Sequence, residues 1–349
     1  MFIDFLLESF QRHSTKTAIV WNDRTFTFAE IADKFRHWKA DLHERGIPCG
    51  AVVGLEGDFS PNTAAIFLAL VDHACIVVPL SNASRKLRAE KDLIAQIECD
   101  YSVDNEDRVE YAPRPQRAAH ELYAVIRKRG HPGLVLFSSG TSGAPKAAVH
   151  DFTCLLEKFR FPRPPQTTLN FLLFDHWGGL NTMLHTLSTG GTTVTVRERN
   201  PEEVCRLIEK HAVTLLPATP TFLNLLLISG AYKGRNLSSL QVISYGAEPM
   251  LQSTLDRLNQ LFSGVRLQQT YGLIEVGVLR SKSKDNGSLW VKMGGDDYQL
   301  RLVDGILQIK TRSTILGYLN APTPLTDDGW FITGDMAEDV HGDMPGGSP

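Results

Sequence analysis

The sequence predicts an α/β protein: two stacked α/β subdomains with mostly parallel sheets, followed by a small β-rich, barrel-like subdomain. Three observations predict it. Short apolar runs alternate with segments of helical period between residues 17 and 130, the same alternation resumes over 168–269, and from about residue 282 the texture changes to short strands between turns. Strands that alternate with helices imply parallel pairing, because each return to the same sheet edge needs a helix-length crossover.

Residues 2–11 carry apolar positions at helical spacing, and 17–20 read as a strand that turns at Asp23-Arg24 into a return strand at 25–27. An amphipathic helix at 28–44 closes near Gly46; a strand at 50–55, a helix at 63–71 and a strand at 75–80 follow. The stretch 81–130 is more polar, with helical spacing at 85–96 and an irregular connection at 106–117. Leu134, Val135, Leu136 and Phe137 form the short apolar run of a buried strand, and 148–159 is expected to be a helix. Arg163-Pro164-Pro165 breaks the pattern, since proline fixes φ and removes a donor. The expected division is therefore 1–165 and 166–281 for the two α/β subdomains, 282–343 for the β-rich unit, and 344–349 for a tail or linker. In the second subdomain, strands at 168–174, 192–196, 213–216, 241–244 and 265–269 alternate with helices at 180–187, 201–210, 221–227 and 250–261. Strands at 288–292, 298–303 and 306–310 build the β-rich unit.

With 42% apolar and 21% charged residues the chain has the composition of an ordinary soluble protein with a sizeable core. A net charge of −3 gives no electrostatic footprint for nucleic acid or an anionic membrane. No apolar run approaches the ~20 residues of a membrane span, and the start lacks a signal peptide's basic region and cleavage site. Five scattered cysteines, never in C-x-x-C spacing, read as reduced thiols of a cytoplasmic protein.

The densest chemistry follows the strand at 134–137: Ser138, Ser139, Gly140, Thr141, Ser142, Gly143, Ala144, Pro145 and Lys146. Hydroxyls, two glycines and an ammonium at a strand end suit a phosphate, because backbone N–H groups converge where no Cβ intrudes. A solvated Gly/Ser turn is the alternative. The loop is not a Walker A: Pro145 stands where that motif needs its second glycine, and Ala147 replaces the metal-binding hydroxyl.

From Ser138 to Lys146 the loop resembles the T/S-S-G-S/T-T/S-G-x-P-K-G phosphate loop of the AMP-forming adenylate synthetases: acyl- and aryl-CoA ligases, peptide-synthetase adenylation domains and luciferases. Ala147 departs from it. Four further stretches resemble that family's motifs in its order. These are Phe174-Asp175-His176-Trp177-Gly178-Gly179 beside the carboxylate pocket, Tyr245-Gly246-Ala247-Glu248-Pro249 at the adenine, Gln269-Thr270-Tyr271-Gly272-Leu273-Ile274-Glu275, and Gly329 to Asp335 reading GWFITGD.

The residues have their own logic beside the resemblance. Gly246-Ala247 can wall a flat purine and Tyr271 can stack on it, or the pair is a strand-to-helix turn with a core tyrosine. Glu275 offers a hard carboxylate oxygen to Mg²⁺, or is a solvated surface acid. Asp335 can accept two hydrogen bonds from a ribose diol, or closes a Gly-Asp turn. His176 lines the acid pocket or packs in the core; Asp175 is a pocket acid or a structural hydrogen-bond partner. Ile274 stands where the family has Thr or Ser, so one hydroxyl toward the adenylate phosphate is missing.

The resemblance implies ATP and Mg²⁺ as cofactors, with Lys146, Thr141 and Glu275 catalytic and Glu275 holding the metal. It implies nucleotide contacts at residues 138–143, at Gly246 to Pro249, and at Gln269, Gly272 and Asp335. Asp175, His176, Gly178, Gly179, Tyr245 and Gly246 would border a carboxylic acid, aryl or medium-chain, since these segments lack an obvious basic clamp. The acyl-adenylate would pass to coenzyme A or to the phosphopantetheine of an acyl or peptidyl carrier protein. In that family a C-terminal lid domain with a second lysine follows. Its absence leads to the expectation of an isolated N-terminal domain impaired in turnover, or a non-catalytic scaffold of the same fold.

Overall fold

The computed structural model describes residues 1–138, 144–161, 163–279, 281–293 and 297–338, with backbone alone at 83–85. Two seven-stranded sheets dominate it. The first runs Arg266–Gln269, Val242–Tyr245, Leu215–Ala218, Thr167–Asn170, Thr192–Thr195, Thr17–Trp21 and Arg24–Thr27, parallel except for the last hairpin pair. The second runs Gly317–Tyr318, Lys146–Asp151, Gly133–Ser138, Ile76–Leu80, Val52–Glu56, Cys99–Val103 and Val109–Pro113, parallel at its centre and antiparallel toward both edges.

The helices between the strands start where the sequence supplies caps. Thr27 and Glu30 form a reciprocal capping box for Phe28–Glu44. Ser60, Asn200 and Thr219 each accept a backbone N–H at the first turn of Pro61–Asp72, Pro201–His211 and Pro220–Ser229, with Pro at the first helical position.

Pro61–Asp72 is buried almost all round, which marks a helix enclosed on every side. It belongs to a core shared by both sheets: Val53, Leu55, Val77, Leu134 and Leu136 come from one, and Ala18, Ile19 and Trp21 from the other. Phe59, Phe67, Phe152, Phe174 and Trp177 meet there edge to face. A second core lies under Pro201–His211, Pro220–Ser229 and Gln252–Leu261, on the far face of the first sheet. The β-rich unit contains an antiparallel sheet of Tyr298–Val303, Ile306–Thr311 and Phe331–Met336, with its own core around Leu307, Ile309 and Phe331.

Several expectations need correction. The helix expected at 148–159 is a strand, Lys146–Asp151, followed by the short helix Phe152–Leu156. Ala147, Ala148 and Val149 pair with Gly133–Ser138 on one side and with Gly317–Tyr318 on the other, a partner nearly 170 residues away that local propensity does not see. The connection expected at 106–117 contains the strand Val109–Pro113, and the helix Glu121–Arg129 lies in the stretch that gave little signal. The sheets also cross the contiguous division. Thr17–Trp21 pairs with Thr192–Thr195, so the N-terminal hairpin completes the sheet of residues 167–269, while Gly317–Tyr318 completes the other. Among the described residues no helix is long and apolar enough to cross a membrane.

Candidate functional site

Strands Val242–Tyr245 and Arg266–Gln269 end side by side, and their carboxyl ends carry two of the motifs. Thr270 donates its N–H to the Tyr245 carbonyl at 2.7 Å. A Cβ on Gly246 would lie 2.4 Å from the Thr270 carbonyl oxygen, so only glycine permits this approach. Ala247 follows at φ +68, a conformation that costs a non-glycine residue energy. Glu248 is exposed and its carboxylate accepts from the N–H and hydroxyl of Thr221, which fixes the start of Pro220–Ser229; Pro249 is exposed beside it. The Gln269 Oε1 is buried without a partner among the described residues. Gly272 approaches the Gly277 carbonyl in a two-stranded ladder.

Beyond these strand ends, residues far apart in sequence meet. The Tyr271 hydroxyl donates to the Asp335 carboxylate at 2.5 Å, and burial, then that carboxylate, pushes the phenol pKa up. Asp335 itself is exposed at the tip of Phe331–Met336. Four residues after Tyr271, Glu275 Oε1 accepts from the Tyr318 hydroxyl at 2.5 Å, and the half-buried Lys146 ammonium sits 5.8 Å from the Tyr318 ring centroid. Asn320 ties down the same corner, donating to the Pro145 carbonyl at 2.8 Å and accepting from the Ala147 N–H at 3.0 Å. Ser138 and Lys146 face each other across the two strands. Ser139, Gly140, Thr141, Ser142 and Gly143 lie outside the described residues. Tyr318 and Asn320 escaped the sequence reading: GYLN at 317–320 carries no spacing signal, and only the pairing of Gly317–Tyr318 with Lys146–Asp151 brings it here.

The acid-pocket motif divides. Asp175 is buried and its carboxylate faces the Lys91 ammonium at 3.4 Å, which in turn lies over the Phe137 ring at 5.1 Å. It ties the segment before Trp177–Ser188 to the helix Arg88–Ala95. His176 is exposed ahead of the helix Trp177–Ser188 and makes no side-chain cap. Gly178 and Gly179 serve packing: a Cβ on Gly179 would meet the Leu173 carbonyl oxygen at 2.2 Å and Phe59 Cζ at 2.8 Å.

A cavity of about 830 Å³ opens one helical turn further on. Side chains alternate along a strand, and the alternation decides what lines it. Leu216, Ala218, Ile243, Tyr245 and Leu267 enter the far core, whereas Leu215, Pro217, Val242, Ser244, Gln268 and Thr270 face the cavity. Tyr245 thus points away from it, its hydroxyl raised to about 12 by burial. Asn181, Thr182 and His185 of the helix and Lys158 from the preceding segment form the opposite wall. Burial pulls Lys158 down to about 7, with Arg163 adding to it. His185 is pulled down to about 4 by burial and then by Arg163 and Lys158. The sequence reading found no basic clamp because it took the pocket from the motif segments and not from residues 158–166. Among the described residues no group of three or more His, Cys, Asp or Glu side chains is placed to hold a metal.

The profile of the AMP-binding enzymes matches residues 6–292. The 4-coumarate–CoA ligase-like 5 protein of Oryza sativa subsp. japonica is 29% identical over 243 residues, covering 63% of this chain and 44% of that protein. The medium/long-chain-fatty-acid–[acyl-carrier-protein] ligase FadD10 of Mycobacterium tuberculosis is 28% identical over 249 residues, covering 59% and 45%. The chain thus spans less than half the length of these curated relatives. The N-terminal subdomain of Klebsiella oxytoca NpsA, solved with 3-hydroxyanthranilyl-AMSN, shares the fold with a TM-score of 0.76 at 16% identity, over 97% of this chain and 96% of that one. With that profile spanning most of its length, the chain belongs to the AMP-binding enzymes, and over nearly all of it the fold is that of the NpsA N-terminal subdomain.

Proposed function

We propose that this chain binds ATP and a carboxylic acid and positions them for formation of an acyl-adenylate, which then passes to the thiol of coenzyme A or of a carrier protein's phosphopantetheine. The observation that carries this reading is the convergence of Tyr271 with Asp335 and of Lys146 with Tyr318 and Glu275 beside the carboxyl ends of parallel strands. Ligands of open α/β sheets bind at such strand ends. The names of the relatives, a CoA ligase-like protein and an acyl-carrier-protein ligase, support the choice of reaction and of acceptor.

In this reading an oxygen of the substrate carboxylate attacks the α-phosphorus of ATP in line, forming an O–P bond as the α–β anhydride breaks and pyrophosphate leaves. Asp335, exposed and steered by the Tyr271 hydroxyl, accepts from the ribose hydroxyls. Lys146 faces the phosphates, where fixed positive charge is most effective, and the resemblance assigns N–H and hydroxyl donors from residues 138–143 to the same groups. Glu275 has one oxygen engaged by Tyr318 and the other without a hydrogen-bond partner among the described residues, which fits Mg²⁺, an ion that takes few protein ligands beside phosphate oxygens. Bound there, the metal supplies charge neutralisation. The 830 Å³ cavity has the volume of an aryl or medium-chain acid site.

Calorimetric titration with ATP tests this. Wild type should bind, and Asp335→Ala should weaken binding by about tenfold, the loss of charge-assisted hydrogen bonds, while far-UV circular dichroism stays unchanged because Asp335 is exposed. Equal affinities would refute the ribose assignment. A non-catalytic module of the same fold is the second reading. It is favoured by Ile274, which packs against two hydrophobic cores where the resemblance expects a hydroxyl. Acid-dependent exchange of labelled pyrophosphate into ATP separates the two, since a scaffold shows none with any acid.

A further inference from the structure

The cavity's lining is more polar and more basic than adenylation by itself requires. A parallel sheet covered on both faces is normally apolar on both, yet here Ser244, Gln268 and Thr270 face inward. Across from them Asn181 and His185 stand one turn apart on Trp177–Ser188, and the Asn181 Oδ1 is buried with no hydrogen-bond partner among the described residues. Lys158 closes this end. Its ammonium lies 5.3 Å from the Trp177 ring and 5.2 Å from that of Phe159, and no carboxylate among the described residues forms an ion pair with it. Arg163, His185 and Arg266 also line the cavity, against one acid among the described residues, Asp297.

Aromatic faces attract an ammonium, but they replace only part of the hydration it gives up on burial. A half-buried cation with no counter-ion among the described residues, in a site large enough for a ligand, is poised for an anion brought by that ligand. The depressed Lys158 pKa agrees with this, since the surroundings as they stand disfavour its charged form.

We propose that the acid this cavity takes carries a second, distal carboxylate, which pairs with Lys158 while the first carboxylate reaches the strand ends at Gly246 and Tyr271. The proposal rests on the adenylation reading and names its substrate class as dicarboxylic acids. Lys158 is the specificity-determining residue. The Asn181 amide, whose donor and acceptor ends exchange on a half-turn, can donate beside it.

The test is calorimetry on the chain in the presence of α,β-methylene-ATP, which does not turn over. Linear α,ω-diacids of six to ten carbons and terephthalic acid are each compared with their monomethyl esters, which keep one carboxylate and lose the distal charge. At least one diacid should bind about tenfold or more tightly than its ester, as expected for a desolvated charge pair. Lys158→Met should bring the two within about twofold, and Lys158→Arg should keep part of the preference. Diacids and esters that bind alike, or not at all, to a chain that holds the nucleotide analogue overturn the dicarboxylate proposal alone. So does a diacid preference that survives Lys158→Met. Failure to bind the analogue overturns the adenylation reading beneath it.

Discussion

Replacing Lys158 by Met should make the protein more stable, and the gain should fade as pH rises. A fall from the ordinary 10.5 to about 7 corresponds to about 5 kcal/mol at 1.36 kcal/mol per pH unit. The ammonium borders a cavity that water can enter, and solvent there takes roughly half of that figure, leaving about 2 kcal/mol. The sign follows from proton uptake. The folded chain holds the Lys158 proton less tightly than the unfolded chain, so between about 7 and 10.5 the unfolded state binds more protons and stability rises with pH. Below 7 the full penalty is present. Met keeps the length and apolar stem of lysine without the charge, so Lys158→Met should raise the urea midpoint at pH 7 by an amount equivalent to about 2 kcal/mol. The difference from wild type should shrink steadily as pH rises toward the ordinary lysine value of 10.5, and taking it between the two proteins cancels every other titrating group. A variant no more stable than wild type at pH 7, or a difference that stays constant with pH, would refute the claim that Lys158 is a half-buried charge with no counter-ion among the described residues.

Two further outcomes follow from the packing of the site. Gly179→Ala forces a Cβ against the Leu173 carbonyl and the Phe59 ring, and rigid backbone cannot yield as a side chain can. It should cost about 1–3 kcal/mol in urea unfolding, whereas Gly178→Ala meets only the end of Leu172 and should cost less; equal costs would contradict the packing. Asn320→Ala removes the partner of both the Pro145 carbonyl and the Ala147 N–H. It should destabilise by about 1–3 kcal/mol and speed amide exchange at residues 146–148, and unchanged exchange would show that this corner is held by other contacts.

The sequence by itself determined the α/β class, the alternation of most strands and helices, and the identity of the motif residues, because these depend on local period, caps and loop chemistry. Thr27 with Glu30, Asn200 with Pro201, and Thr219 with Pro220 are written within three positions of each other and read without a partner. Tertiary structure decided the rest. It drew the hairpin at 17–27 into the distant sheet, made a strand of Lys146–Asp151, and set Tyr318 and Asn320 beside Lys146, because strand pairing joins residues whose separation leaves no local trace. It likewise gave Asp175 to Lys91 and enclosed Lys158 against Trp177 and Phe159. A side chain's charge is fixed by its type, but whether that charge meets water, a partner or a cavity depends on what the fold packs around it.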